Sequence, residues 1–435
     1  MPSKCLLIVL DGLGDRSHVC LDHRTPLQAA HVPNMDRLSA SGANGLYHAG
    51  MLGECLPSET AHWAMFGYDR ADFPGRGVLE ALGAGVEPVK GQVAVLAHFV
   101  SLEERDGCLV LAEDVPRAEA DDVRELIAAV AEWEHGGVRI RYVPVKSVFG
   151  VLIMSGNVSP KFTDTGPMRN GRFIPDVLPL AECADNLDAQ ITASALRSYL
   201  LHVRRVLGQH PLNVRRRERG LKPINGIVTQ RAGRFRPNVA FSKRCGLRGL
   251  SIASGAVFHG LARYLGLDIL PPHEGGDMES DFARDLEQAR EQLERYDFIH
   301  LHTKAPDEAA HAKDPVRKMK VIEALDRALG SGLSALTDDP EVLIVLTADH
   351  STPSSGDLIH SGEPVPLIIH GRGVRRDMVR RFDEIHTARG CLGSVRGTEL
   401  MRLILNHLDK ARLEGVRDTP EDRLCWPGDY QPLRF

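Results

Sequence analysis

Cys5-Leu6-Leu7-Ile8-Val9-Leu10, followed at once by Asp11-Gly12-Leu13-Gly14, is the stretch that decides the fold class. An unbroken apolar run of this length reads as a strand covered on both faces, and the glycines behind it permit a tight turn. Asp11 therefore stands at the carboxyl end of a buried strand. Phe298 to Leu301, Val342 to Leu346 and Pro366 to Ile369 have the same character, with Ile224 to Val228 and Leu250 to Ala253 as weaker members. All are expected to be parallel. Between them, Leu196, Tyr199, Leu200, Val203, Val206 and Leu207 share one helical face, as do Met319, Ile322, Leu325 and Leu329. Asp314-Pro315 supplies an N-cap oxygen and a first-turn proline for the second of these helices. Strands alternating with helices on this scale predict an α/β layered fold with a mostly parallel sheet.

The segment 92–187 differs, with strand patterns at Val93 to Phe99, Val138 to Val143 and Val148 to Met154 separated by turn and charged residues. It is read as an inserted α+β cap, leaving 1–91 and 188–435 as the core. A chain of 435 residues, 43% hydrophobic, can bury such a core, and a formal charge of −5 gives no long-range attraction for nucleic acid or an anionic membrane. The opening apolar run is too short for a membrane span or a signal-peptide core. Eight scattered cysteines without a Cys-x-x-Cys pair suit reduced thiols in a cytoplasm. The Arg215-Arg216-Arg217-Glu218-Arg219 cluster reads either as a solvated turn or as an anion clamp.

Three segments place carboxylates and imidazoles at or just beyond the end of an expected core strand, where open α/β sheets gather their ligands. They are Asp11, then Asp307-x-x-x-His311, then Asp349-His350 with His360. Each alone could cap a turn or lie on a solvated surface; together, and with Ser58, they furnish enough groups for two adjacent metal sites. Mixed Asp and His donors suit manganese or zinc, ahead of magnesium or cobalt, better than calcium. Ser58, in Leu56-Pro57-Ser58-Glu59-Thr60-Ala61-His62, opens a helical run that would aim N–H groups at a phosphate. A serine hydroxyl is a weak nucleophile near neutrality, and coordination to a divalent ion is the natural way to activate it. Helix capping is the alternative task for Ser58.

These residues resemble the archaeal-type cofactor-independent phosphoglycerate mutases of the alkaline phosphatase superfamily. The likeness runs from Leu7-Ile8-Val9-Leu10-Asp11-Gly12-Leu13-Gly14 through Ser58-Glu59-Thr60-Ala61-His62, Pro74-Gly75-Arg76-Gly77 and His210-Pro211-Leu212-Asn213. It continues in Lys304-Ala305-Pro306-Asp307-Glu308-Ala309-Ala310-His311, Ala348-Asp349-His350-Ser351-Thr352-Pro353 and His360-Ser361-Gly362-Glu363. The resemblance implies an alkaline-phosphatase-like three-layer core, two divalent metal ions and a small phosphorylated substrate. It also implies that Ser58 is the phosphorylated nucleophile, that Asp11, Ser58, Asp349 and His350 surround one ion, and that Asp307, His311 and His360 surround the other. His62, Asp164, Arg169, His210, Arg231, His259 and Lys304 are the expected substrate contacts.

The departures from the family pattern fall among basic positions. Gln230-Arg231-Ala232-Gly233 stands where Arg-Gly-x-Gly is usual, His259-Gly260 where lysine-glycine is expected, and Leu96-Ala97-His98-Phe99 where arginine-x-asparagine-phenylalanine is expected. Glu113-Asp114-Val115-Pro116-Arg117 replaces an arginine-rich turn, and Asp164-Thr165-Gly166-Pro167 follows the pattern in part. Glutamine supplies neither the charge nor the bidentate geometry of arginine. Three readings follow: a mutase interconverting 2- and 3-phosphoglycerate, a phosphomonoester or phosphonate-ester hydrolase on the same metals and serine, and a non-catalytic homologue.

Overall fold

The computed structural model describes every residue except Pro88 and Asp422. Its strands, in chain order, are β1 Lys4–Leu10, β2 Ala43–His48, β3 Val93–Arg105, β4 Cys108–Glu113, β5 Glu132–His135, β6 Val138–Lys146 and β7 Phe149–Ser155. They continue as β8 Gly226–Arg234, β9 Gly249–Ile252, β10 Asp268–Leu270, β11 Phe298–Thr303, β12 Val342–Thr347, β13 Val365–His370 and β14 Gly393–Arg396. Two compact units contain them: 1–73 with 239–254 and 262–435, and 74–238 with 255–261.

The first unit is built on an eight-stranded sheet in the order β10-β9-β11-β1-β12-β13-β2-β14. β1 is central and pairs in parallel with β11 on one side and β12 on the other. Residues Cys5 to Leu10 are fully buried, as expected of a strand with helices on both faces. The long helix Pro315–Asp338 begins at the expected cap, where Asp314 accepts the N–H groups of Val316 and Arg317. One directional expectation fails. β13 runs antiparallel to both β12 and β2, because an apolar run records burial and not direction. The reversal brings the chain into β13 at the edge where β1, β11 and β12 end, so the loop holding His360 joins the loops that follow those three strands.

The second unit is wider than the 92–187 segment expected from sequence. Its six-stranded sheet runs β4-β3-β7-β6-β5 with β8 paired to β3, all antiparallel. Ile224 to Val228 thus enters this sheet through β8 and not the parallel core. The helix Leu187–Gly208 belongs here too: Leu196, Tyr199, Val203 and Leu207 share a buried cluster with Val93, Phe99, Leu126 and Leu152. The helices Arg76–Gly83 and Ala256–Leu265 approach backbone to backbone through a glycine on each, since a Cβ at Gly260 would fall 1.7 Å from Leu79 O and one at Gly83 1.8 Å from Ala256 O. In the arginine cluster, Arg216 is buried and donates to Lys222 O and Arg117 O, while Arg215 lies 3.7 Å from Glu125. That cluster is a helix end held by its own contacts.

Candidate metal centre and active site

Every predicted metal ligand lies in the first unit, in the loops and helix ends at one edge of its sheet. Asp11 follows β1, Asp307 and His311 lie on the helix Ala305–His311 after β11, and Asp349 and His350 follow β12. Ser58 is the first residue of the helix Ser58–Met65, with Pro57 as the cap residue, so capping is not its task.

Around Ser58 the spacing is tight. Its Oγ lies 3.0 Å from His350 Nε2 and 3.5 Å from Asp11 Oδ1. His350 Nε2 lies 3.3 Å from Asp11 Oδ1 and 3.2 Å from Asp349 Oδ2. Asp11, Asp349 and His350 thus form one group of converging donor atoms, and Asp307, His350 and His360 form a second. His350 stands in both, a sharing that residue spacing could not reveal. His360 Nε2 is 3.7 Å from Asp307 Oδ1, and its ring stacks on that of His350 at 3.8 Å between centroids. His311 is placed more loosely, with Nε2 3.2 Å from Asp307 Oδ2 and its side chain 39% exposed.

The donor set fits a divalent cation. Asp349 Oδ1 accepts N–H groups from Gly12 and His350, while Oδ2, buried, accepts no hydrogen bond among the described residues. His360 Nδ1 lies 2.8 Å from Leu56 O, which makes it the protonated nitrogen and leaves the Nε2 lone pair facing Asp307. Burial, followed by the charges of Asp349 and Asp307, pushes the Asp11 carboxyl well above its usual range. For Asp307, burial is outweighed by the hydrogen bond and charge of His311 and the charge of His350, so its carboxyl falls below that range. Burial pushes the His350 imidazole down to about 4 against the pull of Asp349. Carboxylates this close, beside a neutral imidazole, repel one another unless a cation or a proton lies between them.

Several contributors escaped sequence reading. His302 on β11 holds Asp11 through Nε2 and Oδ2 at 3.0 Å, and His300 two residues earlier meets Ser251 Oγ at 3.0 Å. Their signal was the period-two spacing of histidines inside an apolar strand. Thr352 Oγ1 contacts Asp307 Oδ1 and His350 Nδ1. Gly12 has φ +65, and a Cβ there would lie 2.6 Å from Thr352 Oγ1, so only glycine leaves room for that hydroxyl.

The expected substrate contacts divide between the units. In the first, His62 is fully buried behind the ligands, with Nδ1 2.8 Å from Ser58 O and 3.5 Å from Asp349 Oδ2. Lys304 precedes the helix bearing Asp307 and lowers the Asp11 carboxyl by its charge, less than burial raises it. In the second unit, Asp164 Oδ1 accepts the Arg231 N–H at 2.8 Å, Arg169 is exposed, His259 lies on the helix Ala256–Leu265, and His210 caps the helix Pro211–Glu218. A cavity of about 620 Å³ in this unit is lined in part by Leu96, His98, Asp114, Gln230 and Arg231.

The family model described as the Metalloenzyme superfamily matches residues 3–407. A 2,3-bisphosphoglycerate-independent phosphoglycerate mutase of Methanocaldococcus jannaschii is 38% identical over 434 residues, covering 98% of each chain. Its counterpart from Methanopyrus kandleri is 38% identical over 420 residues, covering 95% of this chain and 98% of its own. Among solved structures, a Pyrococcus horikoshii protein aligns with a TM-score of 0.78 at 31% identity, over 96% of this chain and 100% of its own. The cofactor-independent phosphoglycerate mutase of Thermoplasma acidophilum aligns at 0.64 and 29% identity, over 93% and 100%. With its converging carboxylates and imidazoles, the chain belongs to the Metalloenzyme superfamily and, within it, to the 2,3-bisphosphoglycerate-independent phosphoglycerate mutases.

Proposed function

We infer that this chain interconverts 2- and 3-phosphoglycerate by passing the phosphoryl group through Ser58. The observation that carries the reading is the Ser58 hydroxyl at a helix N-terminus, 3.0 Å from His350 Nε2 and 3.5 Å from Asp11 Oδ1. Two divalent ions, manganese or zinc ahead of magnesium or cobalt, are the proposed cofactors. Asp11, Ser58, Asp349 and His350 would hold one, and Asp307, His311 and His360 the other, with His350 near enough to both groups to tie them together. When bound, such ions neutralise phosphoryl oxygens and favour the serine alkoxide.

The residues of the chain supply the rest. Ser58 Oγ attacks phosphorus in line with the leaving alcohol oxygen, giving a phosphoserine and a free diol acid. The alcohol reorients, and its other hydroxyl takes the phosphoryl group back. The helix beginning at Ser58 directs backbone N–H groups toward the transferred phosphoryl, and Lys304 adds positive charge at the same sheet edge. Asp164, Arg169, His210, Arg231 and His259, the substrate contacts the family resemblance implies, are proposed to set which phosphoester is accepted. Cytoplasmic residence suits this chemistry; among the described residues no helix is long and apolar enough to cross a membrane.

A second reading draws support from the departures from the expected basic pattern at Leu96, His98, Asp114 and Gln230. The loss of basic groups at those positions would suit hydrolysis of another phosphomonoester. One experiment separates the two. The metal-loaded protein is given 3-phosphoglycerate and, separately, a panel of phosphomonoesters, with 2-phosphoglycerate and inorganic phosphate measured side by side. Isomerised product without phosphate release supports the mutase; phosphate release without isomerised product replaces it with the hydrolase.

A further inference from the structure

Thr352 is fully buried, and its backbone is fixed on both sides: its N–H donates to Gly14 O at 2.9 Å, and its carbonyl accepts from Lys318 Nζ at 2.8 Å. The direction of its side chain is therefore set by the loops that follow β1 and β12. Its hydroxyl lies 2.8 Å from Asp307 Oδ1 and 3.1 Å from His350 Nδ1. A hydroxyl has one proton to give, and an ionised carboxylate can only accept. The proton therefore goes to Asp307, and His350 must donate its Nδ1–H to the hydroxyl oxygen. His350 is held in the tautomer whose Nε2 carries the lone pair, aimed at Ser58, Asp11 and Asp349.

We infer that Thr352 is a positioning residue that couples the two ligand groups, fixing the tautomer of His350 and the orientation of Asp307 through one hydroxyl. The inference rests on the reading of these residues as the metal centre. The side chain acts through the residues on either side of it, Asp307 and His350. Hydrogen-bonded supports of this kind are worth about 10–100-fold in metal affinity.

Thr352→Val keeps the shape and removes the hydroxyl, whereas Thr352→Ser keeps the hydroxyl and removes the methyl group. Cobalt(II) is titrated into the metal-free full-length protein and both variants, following the ligand-field spectrum and the heat of binding. Thr352→Val should bind about 10–100-fold more weakly with an altered spectrum. Thr352→Ser should restore both, and at saturating metal the valine variant should lose kcat more than KM. Wild-type affinity and spectrum in Thr352→Val overturn the inference, as does a serine variant impaired as much as the valine one. If Thr352→Val does not fold, the serine variant still decides, since a packing role predicts that it weakens binding. A wild-type protein that binds no cobalt refutes the metal-centre reading itself, a result distinct from any difference between variants.

Discussion

Ser58 and Glu384 show how differently single side chains enter this molecule. Removing the Ser58 hydroxyl should take away the group that accepts the phosphoryl, so Ser58→Ala is expected to lower kcat by roughly 1000-fold or more, read from initial rates at verified metal content. Retained turnover would exclude the phosphoserine route. Glu384 lies outside the ligand set, accepting from Thr25 Oγ1 and the Asp15 N–H, and burial pushes its carboxyl from 4.5 up to about 7. The folded state thus holds this proton more tightly than the unfolded chain. The stability it contributes is full below about pH 4.5 and is lost as pH rises through about 7, a change on the order of 3 kcal/mol. Urea midpoints across that window should therefore fall with pH at fixed metal, and Glu384→Gln, which cannot ionise, should flatten the curve; parallel curves would refute the assignment. The aspartates and histidines of the candidate centre could be picked out in the sequence because carboxylates and imidazoles at or beyond the ends of apolar strands have few structural reasons to be there. Thr352 and His302 were not, because one hydroxyl or one imidazole has many ordinary uses until its neighbours are known.

At the scale of elements, the ligand loops are joined by a buried cation. Lys318, on the helix Pro315–Asp338, donates to Gly14 O and Thr352 O, each at 2.8 Å, and lies 3.2 Å from Asp15 Oδ2. Asp15 in turn accepts from Ser354 Oγ at 2.6 Å. The loop after β1 and the loop after β12 are therefore held by one ammonium group, and Ser351 carries the connection onward through a bridge to Ser361, beside His360. Breaking such a pair leaves a carboxylate buried without its partner. Lys318→Met should destabilise the fold by about 3–5 kcal/mol, measured by urea denaturation, with part of the loss recovered in the Asp15→Asn double variant. Purely additive losses would argue against the coupling. The core strands β1, β11, β12 and β13 and the helices Leu187–Gly208 and Pro315–Asp338 were visible from apolar patterning, whereas the sheet-edge strands β10 and β14 and the strand β2 were not. The Asp314-Pro315 start was read correctly because a cap is a local signal. The direction of β13 and the allegiance of β8 were not, since both depend on partners remote in sequence.

Considered as a whole molecule, the chain places every proposed ligand in the first unit, while the unit around β3 to β8 holds none. Saturating metal at about 100 times its dissociation constant stabilises the state that binds it by about 2.7 kcal/mol per ion. Chelation should accordingly raise amide exchange in the loops after β1, β11 and β12 and leave the six-stranded sheet unchanged, as resolved by exchange mass spectrometry. Uniform deprotection of both units would contradict this division. Sequence indicated two kinds of structure along the chain but drew the boundary too narrowly, because the helix Leu187–Gly208 and β8 return to a sheet begun about a hundred residues earlier.

The wide separation of the ligands also has a meaning for synthesis on the ribosome. Ser58 precedes His350 by 292 residues. At translation rates of about 5–20 residues per second, the nucleophile waits some 15–60 s before the imidazole beside it exists. A nascent chain of this protein cannot assemble a working phosphoryl acceptor early, so acquisition of the cation must come near the close of translation or after release.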